Sequence, residues 1–415
     1  MRLNTEVFDV IIIGGGASGL MSASVAAKNG KRVLIIEKNK NLGEKLKITG
    51  GGRCNITNAQ FNIKEFLKIY GDDGKFLSSA FSKFSAQDTF DFFESRGLPL
   101  VTQARNRVFP KTEKAIDVYN VLYNSLIKSG VKIKTSCSVK KIITENGIVI
   151  GVDTKEGIFT AKSYILATGG LSHPETGSTG DGFKWLTDLG HKVQNPTPTI
   201  VPLEVEDEWI KMLSGTSLSF MKITFYVDGK KSFKEIGKIL FTHFGLSGPL
   251  ILNSAGKVSK LLHEGLVTAF IDAYPDTDHG ALEKNIIKIF DINKNKMLKS
   301  VFKDIVPHGT SLGIMKLLPN INFDTKVHSI TKQERKSIVD LLKALPVNII
   351  GLMGFDRAVV ADGGISLKEI DMRTMRSLKY ENLYITGDLL HINRPSGGYS
   401  LQLCWTTGYV AGMSV

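Results

Sequence analysis

Residues 7–38 read VFDVIIIGGGASGLMSASVAAKNGKRVLIIEK. An apolar run from Val7 to Ile13 meets three glycines, a small-residue stretch follows over 17–29, and a second strand signal over 32–36, apolar from Val33, leads into Glu37. This is the pattern of strand, tight turn, helix and strand. Gly14, Gly16 and Gly19 fall in a G-x-G-x-x-G frame. The first allows the turn, the second lets backbone approach a pyrophosphate, and the third lets the helix pack on the strand. Phosphate charge would then meet the free N–H groups of a helix start, at Ala17 and Ser18. Glu37, followed by Lys38, stands eighteen residues past Gly19. That is near the roughly 20-residue offset at which an acid accepts hydrogen bonds from ribose hydroxyls. The motif by itself also fits any glycine-bearing turn between a strand and a helix, so the remaining sequence has to decide.

The chain has 415 residues, 42% hydrophobic and 22% charged, enough for two or three domains of about 100–200 residues each. No apolar run reaches the roughly 18 uncharged residues of a membrane helix, and Val7 to Ile13 is the first strand rather than a signal-peptide core. A cytoplasmic protein with no membrane partner is expected. Cys54, Cys137 and Cys404 are far apart and form no C-x-x-C, which argues for reduced thiols and against a disulfide framework or a metal site. Lys and Arg number 53 against 40 Asp and Glu, a net charge of +13. The densest basic stretch, Lys294, Lys296, Lys299 and Lys303, is spaced as on a solvated helix face, and no nucleic-acid partner is expected.

Strand and helix signals alternate from Val7 to about Gly190: helices between 62 and 129, strands over 131–135 and 139–152, then YILATGG. The fold class is therefore α/β with a parallel, Rossmann-like sheet. After Pro196 and Pro198 short β-like runs take over, and about 280–345 is Lys-rich and helical. The expected organisation is a dinucleotide-binding first segment over 1–194 and a second segment over 356–415. Between them lie a β-rich, barrel-like module over 195–279 and 346–355 and a small helical module over 280–345.

Three further clusters carry chemistry. Residues 43–58, GEKLKITGGGRCNITN, place Gly50, Gly51 and Gly52 beside something flat or charged. Arg53 suits a pyrophosphate or a ring oxygen, and Lys45, Thr49 and Asn55 supply donors to a long cofactor lying along the loop. Cys54 has no second cysteine nearby and reads as a packed thiol. The second cluster, YILATGGLSHPETGSTGDG, ends a strand in Ala167, Thr168 and Gly169, at a sheet edge where nucleotides lie. Its His173 precedes a proline and reads as a turn residue. The third is the tail, NLYITGDLLHINRPSGGYSLQLCWTTGYVAG. After Gly387, Asp388 suits a sugar-alcohol chain, and Gly397 and Gly398 start a helix (Tyr399, Ser400, Leu401) whose positive end suits an anionic reduced ring. A small-residue packing helix is the plainer reading of that tail.

Taken in order, GGGASGL, Glu37, KITGGGRCNITN, RVFP (107–110), ATGG, LFTHFGLSGP (240–249), ADGGISLKEID and GGYSLQLCWTTGYVAG resemble the YhiN-like bacterial flavoproteins, a group that includes aminoacetone oxidases and BaiN-type bile-acid reductases. The resemblance runs over essentially the whole chain. It implies a noncovalent FAD in a two-segment domain: Gly14, Gly16 and Gly19 at the pyrophosphate, Glu37 at the adenosine ribose, residues 45–55 on the flavin side, and Val139 as a backbone contact to adenine. Asp388 stands where the family often has Glu. His391 and Arg394 replace the Asp and Gly of many relatives, and beside a flavin edge they favour an anionic substrate or an anionic reduced ring. A structural salt bridge for Arg394 fits equally. His243, in a turn of the inserted module, is a candidate acid. Arg107, Phe109 and Tyr399 are candidates for lining a pocket beside the ring.

The function expected is that of an FAD-dependent oxidoreductase. It passes hydride through flavin N5 between NAD(P)H or a small organic donor and an acceptor, an enone-type small molecule or oxygen. No second complete G-x-G-x-x-G unit occurs, so NAD(P)H would dock transiently. The sequence does not separate oxidase from reductase. It leaves open an amine oxidase acting on aminoacetone-like substrates with peroxide release, a flavin-dependent RNA-modifying protein suggested by the net charge, and a flavin sensor without turnover.

Overall fold

The computed structural model describes residues 6–392 and 394–415. The chain forms two compact units, one built from the segment ending at Thr197 and the segment from Val359 onward, the other from Pro198–Ala358.

In the first unit five parallel strands carry the fold: β1 (Phe8–Ile13), β2 (Val33–Ile36), β3 (Lys132–Lys134), β4 (Ala161–Leu166) and β5 (Leu383–Ile385). They lie in the order β5-β4-β1-β2-β3, and two short antiparallel strands, Ile370–Asp371 and Arg376–Ser377, extend the sheet beyond β5. Strand β1 is central, and Val10, Ile11 and Ile12 are fully buried. Burial on both faces is why it reads as an unbroken apolar run rather than as an alternation.

Two helices pack together over this sheet, α1 (Ala17–Lys28) and α2 (Tyr399–Ser414). Their small residues set the spacing. A Cβ at Gly408 would stand 2.5 Å from the Ser18 carbonyl oxygen, and one at Gly412 2.6 Å from that of Ser22. Helix α2 is buried on nearly all sides and accordingly has no polar face. One amide anchors it. Gln402 Oε1 accepts from the hydroxyls of Thr57 at 2.6 Å and Thr89 at 2.8 Å, while its Nε2 donates to the Ser85 carbonyl at 3.0 Å and to Thr406 at 3.1 Å. A buried amide so satisfied fixes a helix in one register.

The strand expected over 139–152 is a hairpin, Val139–Glu145 and Ile148–Thr154, because Asn146 and Gly147 both adopt the left-handed backbone that a tight two-residue turn requires. The stretch expected to be helical between 62 and 129 also contains strands. Leu100–Gln103 and Arg107–Pro110 pair with each other, and the second pairs with Thr57–Asn58.

The second unit is a closed antiparallel barrel of six strands, Leu203–Val205, Ser217–Val227, Lys230–Thr242, Gly245–Ser247, Val267–Asp272 and Leu345–Leu352. The helical stretch over 280–345 shares its core: Phe290, Val301 and Ile338 belong to the same buried cluster as Ile223, Phe225 and Ile271 of the barrel. Lys294, Lys296, Lys299 and Lys303 are exposed, but only Lys299 lies in an α-helix (Leu298–Val301), so they are scattered over turns rather than aligned on one helix face.

A buried imidazole links distant parts of the first unit. His191 Nδ1 lies 2.7 Å from Glu369 Oε2, and its Nε2 lies 3.1 Å from Ser377 Oγ. Burial pulls the His191 pKa below its ordinary value of 6.5, with the Glu369 carboxylate opposing. Glu369 is itself held below the ordinary carboxylate range by the hydrogen bond from His191 and by the Lys192 N–H, against its own burial. Both pKa values are lower folded than unfolded, so the unfolded chain binds more protons and the stability from this pair is lost as pH falls below about 6.5. Thermal melts at stepped pH are expected to show a steeper acid-side fall for the wild type than for His191→Gln.

Candidate active site

The motif glycines divide two roles. Gly14 has φ +104°, and a Cβ there would meet the Ala167 carbonyl oxygen at 2.5 Å; a Cβ at Gly19 would meet the Gly14 carbonyl oxygen at 2.0 Å. These two positions are closed by packing of turn, helix and β4. Gly16, the N-cap of α1, is different: nothing lies within 4 Å of a Cβ built there. It faces open space beside the first-turn N–H groups of Ala17 and Ser18, which no α-helix can satisfy internally.

Next to this turn a cleft is lined by Gly14, Glu37, Lys38, Val139 and Thr168, all singled out from the sequence, together with Cys137, Thr179, Asp181 and Trp185. Glu37 is buried, and its two carboxylate oxygens accept from the N–H groups of Gly15 and Asn39, each at 2.8 Å. Each oxygen keeps a lone pair for a further donor. The Lys38 ammonium donates to Asp181 Oδ2 at 2.8 Å and to the Thr179 hydroxyl, closing one wall. Thr168 Oγ1 is buried without a partner.

The second end of the site is the loop after Gly43. Gly50, Gly51 and Gly52 have φ of +58°, +67° and +84°, and Cys54, a non-glycine, follows at +59°. Cys54 is fully buried, and burial pushes its thiol up to about 12, as fits an inert packed cysteine. Thr49 Oγ1 donates to the Leu46 carbonyl at 2.6 Å, and Asn55 Oδ1 accepts from Val108 N–H at 3.3 Å, so both shape the loop. Arg53 stacks 4.8 Å over the Phe109 ring and reaches Glu113 at 4.0 Å. The Lys45 ammonium donates to Ser172 Oγ at 3.1 Å; burial makes it easier to deprotonate, and the neighbouring Asp388 carboxylate opposes this.

Helix α2 begins at the same place. A Cβ at Gly398 would fall 2.3 Å from the Thr57 carbonyl carbon and oxygen, so only glycine fits there, while Asn58 Nδ2 holds the Gly397 carbonyl at 3.3 Å. Tyr399 packs against Phe66 and Tyr70 with centroids 5.1 and 6.3 Å apart, and its carbonyl accepts from Tyr70 OH at 2.9 Å. Burial raises the Tyr399 pKa. In the first turn Ser400 Oγ is buried without a partner, beside a half-exposed Leu401. Gly169, at φ +74°, lies against Ser178, and Gly387 lies against Ser18.

Arg394 is buried. It donates to Asp388 Oδ1 at 2.6 Å and to the Ile392 carbonyl at 2.7 Å, leaving Nε without a partner. The ion pair is the structural alternative weighed for Arg394, and it occupies one oxygen of the carboxylate expected to face a sugar-alcohol chain. His391 Nε2 lies 3.4 Å from Asp362 Oδ1. His243 is in the second unit, exposed in the two-residue turn between Lys230–Thr242 and Gly245–Ser247, with its ring against Phe244.

A long dinucleotide fits this arrangement. Gly16 opens onto empty space, Glu37 keeps free lone pairs at one end, and the buried orphans Thr168 Oγ1, Ser400 Oγ and Arg394 Nε would cost about 1–3 kcal/mol each if nothing paired with them. Sequence reasoning missed Thr179, Asp181 and Trp185 as walls of the cleft; the STGDG stretch over 178–182 was the available signal for the first two, and nothing local marks Trp185. Among the described residues no cluster of three His, Cys, Asp or Glu could hold a metal, and no helix is long and apolar enough to cross a membrane.

Fold and site together define a Rossmann-type oxidoreductase of the FAD-dependent class. The chain belongs to the HI0933-like family, whose Rossmann domain profile matches residues 8–414. Among its relatives is the 3-dehydro-bile acid delta(4,6)-reductase of Clostridium scindens, 29% identical over 97% of both chains. The ribosomal RNA dihydrouridine synthase of Haemophilus influenzae is 28% identical over 98% of both. In fold, the chain is similar to the 3-ketosteroid-delta4-(5alpha)-dehydrogenase of Rhodococcus jostii RHA1, with a TM-score of 0.55 at 14% identity over 99% of this chain and 97% of that one.

Proposed function

We propose that this protein is a reductase that binds FAD noncovalently, draws hydride from NAD(P)H and saturates a carbon–carbon double bond conjugated to a carbonyl. The observation that carries the cofactor assignment is the open, unstrained Gly16 beside the Glu37 cleft, in the same unit as the loop of Gly50–Gly52 and the start of α2. Bound FAD supplies a two-electron carrier that takes hydride from one partner and gives it to another. The chain's own residues hold and insulate it. Ala17 and Ser18 present N–H groups to the pyrophosphate, Glu37 takes the ribose hydroxyls, Asp388 offers its remaining oxygen to the sugar-alcohol chain, and the N-terminus of α2 favours negative charge.

The acceptor class is supported by two full-length relatives of nearly equal identity, a bile-acid delta(4,6)-reductase and a dihydrouridine synthase. A 4,6-dienone and a uracil ring share one reactive unit, a double bond polarised by a carbonyl. Tyr399, a phenol in the first turn of α2, is the candidate donor of the proton that must follow hydride. A second reading, that the acceptor is a uridine in RNA, is favoured by the net charge of +13.

Anaerobic mixing of the purified yellow protein with NADH, NADPH and aminoacetone in turn tests the donor. Bleaching by a nicotinamide, then recovery of colour on adding a cyclic enone or an RNA rich in uridine, is expected. Bleaching by aminoacetone alone would overturn the reductase reading in favour of an amine oxidase.

A further inference from the structure

The hairpin of Leu100–Gln103 and Arg107–Pro110 carries charge that the cofactor site does not use. Arg105 is exposed in its turn, Arg107 is half-buried, and Arg53 lies beside them on the glycine loop. Burial, then the charges of Arg105 and Arg53, make the Arg107 guanidinium easier to deprotonate than usual, so the three cations crowd one another. Among the described residues neither Arg105 nor Arg107 has a carboxylate within 4.0 Å. The counter-charge at hand is Glu113, 4.0 Å from Arg53 and shared with Gln103.

The surroundings are shaped to receive an anion. The Arg53 guanidinium lies over the Phe109 ring, 4.8 Å from its centroid, with Glu113 4.0 Å from one of its terminal nitrogens. A Cβ built at Gly51 or at Gly52 would meet nothing within 4 Å, so backbone there is open to a ligand. Asn58 Nδ2 donates to both the Arg105 carbonyl at 3.1 Å and the Gly397 carbonyl at 3.3 Å, which ties the arginine turn to the start of α2. Positive potential from three guanidiniums and a helix N-terminus thus meets in one place.

We propose that Arg53, Arg105 and Arg107 bind the phosphate groups of the nicotinamide dinucleotide that reduces the enzyme. The inference rests on the reductase reading above and adds where the donor's anionic part is held. Guanidinium forks match phosphate oxygens in pairs, and a compact triad on one hairpin and one loop suits a small dinucleotide better than the stripe a polynucleotide needs.

Stopped-flow reduction of the FAD-loaded full chain by NADPH, without oxygen, tests it in the wild type, in Arg105→Gln and in the Arg105→Gln/Arg107→Gln double variant. The dissociation constant of NADPH should rise about tenfold in the single variant and about a hundredfold in the double, with the limiting rate changed far less. Unchanged constants in the double variant would overturn the site. So would loss of RNA retention with NADPH binding intact, which would assign the arginines to a polynucleotide. If no nicotinamide reduces even the wild type, the functional reading fails instead. Inorganic pyrophosphate, titrated by calorimetry into the wild type and the double variant, then decides the anion site: binding only by the wild type supports it, and equal or absent binding in both overturns it.

Discussion

Gly16→Ala is expected to give a folded protein that has lost most of its affinity for FAD. The backbone at Gly16 has φ −80° and ψ −168°, ordinary extended geometry for any residue, and the added methyl touches no protein atom. Apart from a capping effect of under about 1 kcal/mol, nothing in the fold opposes the substitution. The methyl nevertheless occupies the space through which a pyrophosphate reaches the N–H groups of α1. Moving it away from those donors forfeits several charge-assisted hydrogen bonds, which corresponds to affinity about a hundredfold weaker. Gly19→Ala is the contrast. Its methyl would stand 2.0 Å from the Gly14 carbonyl oxygen, so α1 must shift, and stability itself should fall by about 1–3 kcal/mol. Urea melts of the two apoproteins, alongside FAD titrations, separate a lost ligand contact from a lost helix contact.

The second large effect is expected at Glu37. Both carboxylate oxygens already accept backbone N–H groups, from Gly15 and Asn39. Glu37→Gln keeps the shape but turns one acceptor into a donor facing a donor, which leaves a buried group unpaired at about 1–3 kcal/mol. Apoprotein stability should drop by that amount. FAD affinity should drop a further tenfold or more, because the remaining oxygen serves the turn rather than a ribose. FMN lacks the adenosine half, so FMN binding should suffer no more than the apoprotein does. Equal losses for FAD and FMN would remove Glu37 from any adenosine contact.

Much of this was legible because it is local or periodic. The apolar run of β1 is unbroken because both faces are covered, and the glycine frame follows it within a few residues. The start of α2 was legible at Gly397 and Gly398 for the same reason. What stayed hidden depends on residues far apart in sequence. Lys38 and Asp181 close a wall of the cleft from positions 143 residues apart, and no spacing announces that. The pairing of Arg394 with Asp388 spans only six residues, yet it lies in irregular backbone where no period exists to read. The helices over 280–345 are amphipathic, which signals that they pack on something without naming the barrel they share a core with. The hairpin over 139–154 was visible as strand, but its Asn146-Gly147 turn was passed over.

The central claim is that one long dinucleotide lies from the Gly14–Gly19 turn and the Glu37 cleft to the start of α2. Denaturing the purified yellow protein and identifying what it releases tests this most directly. The account predicts one FAD per chain, freed by denaturation and converted to FMN by phosphodiesterase. Release of FMN without an adenosine half, or a colourless chain that binds only a nicotinamide dinucleotide, would contradict it.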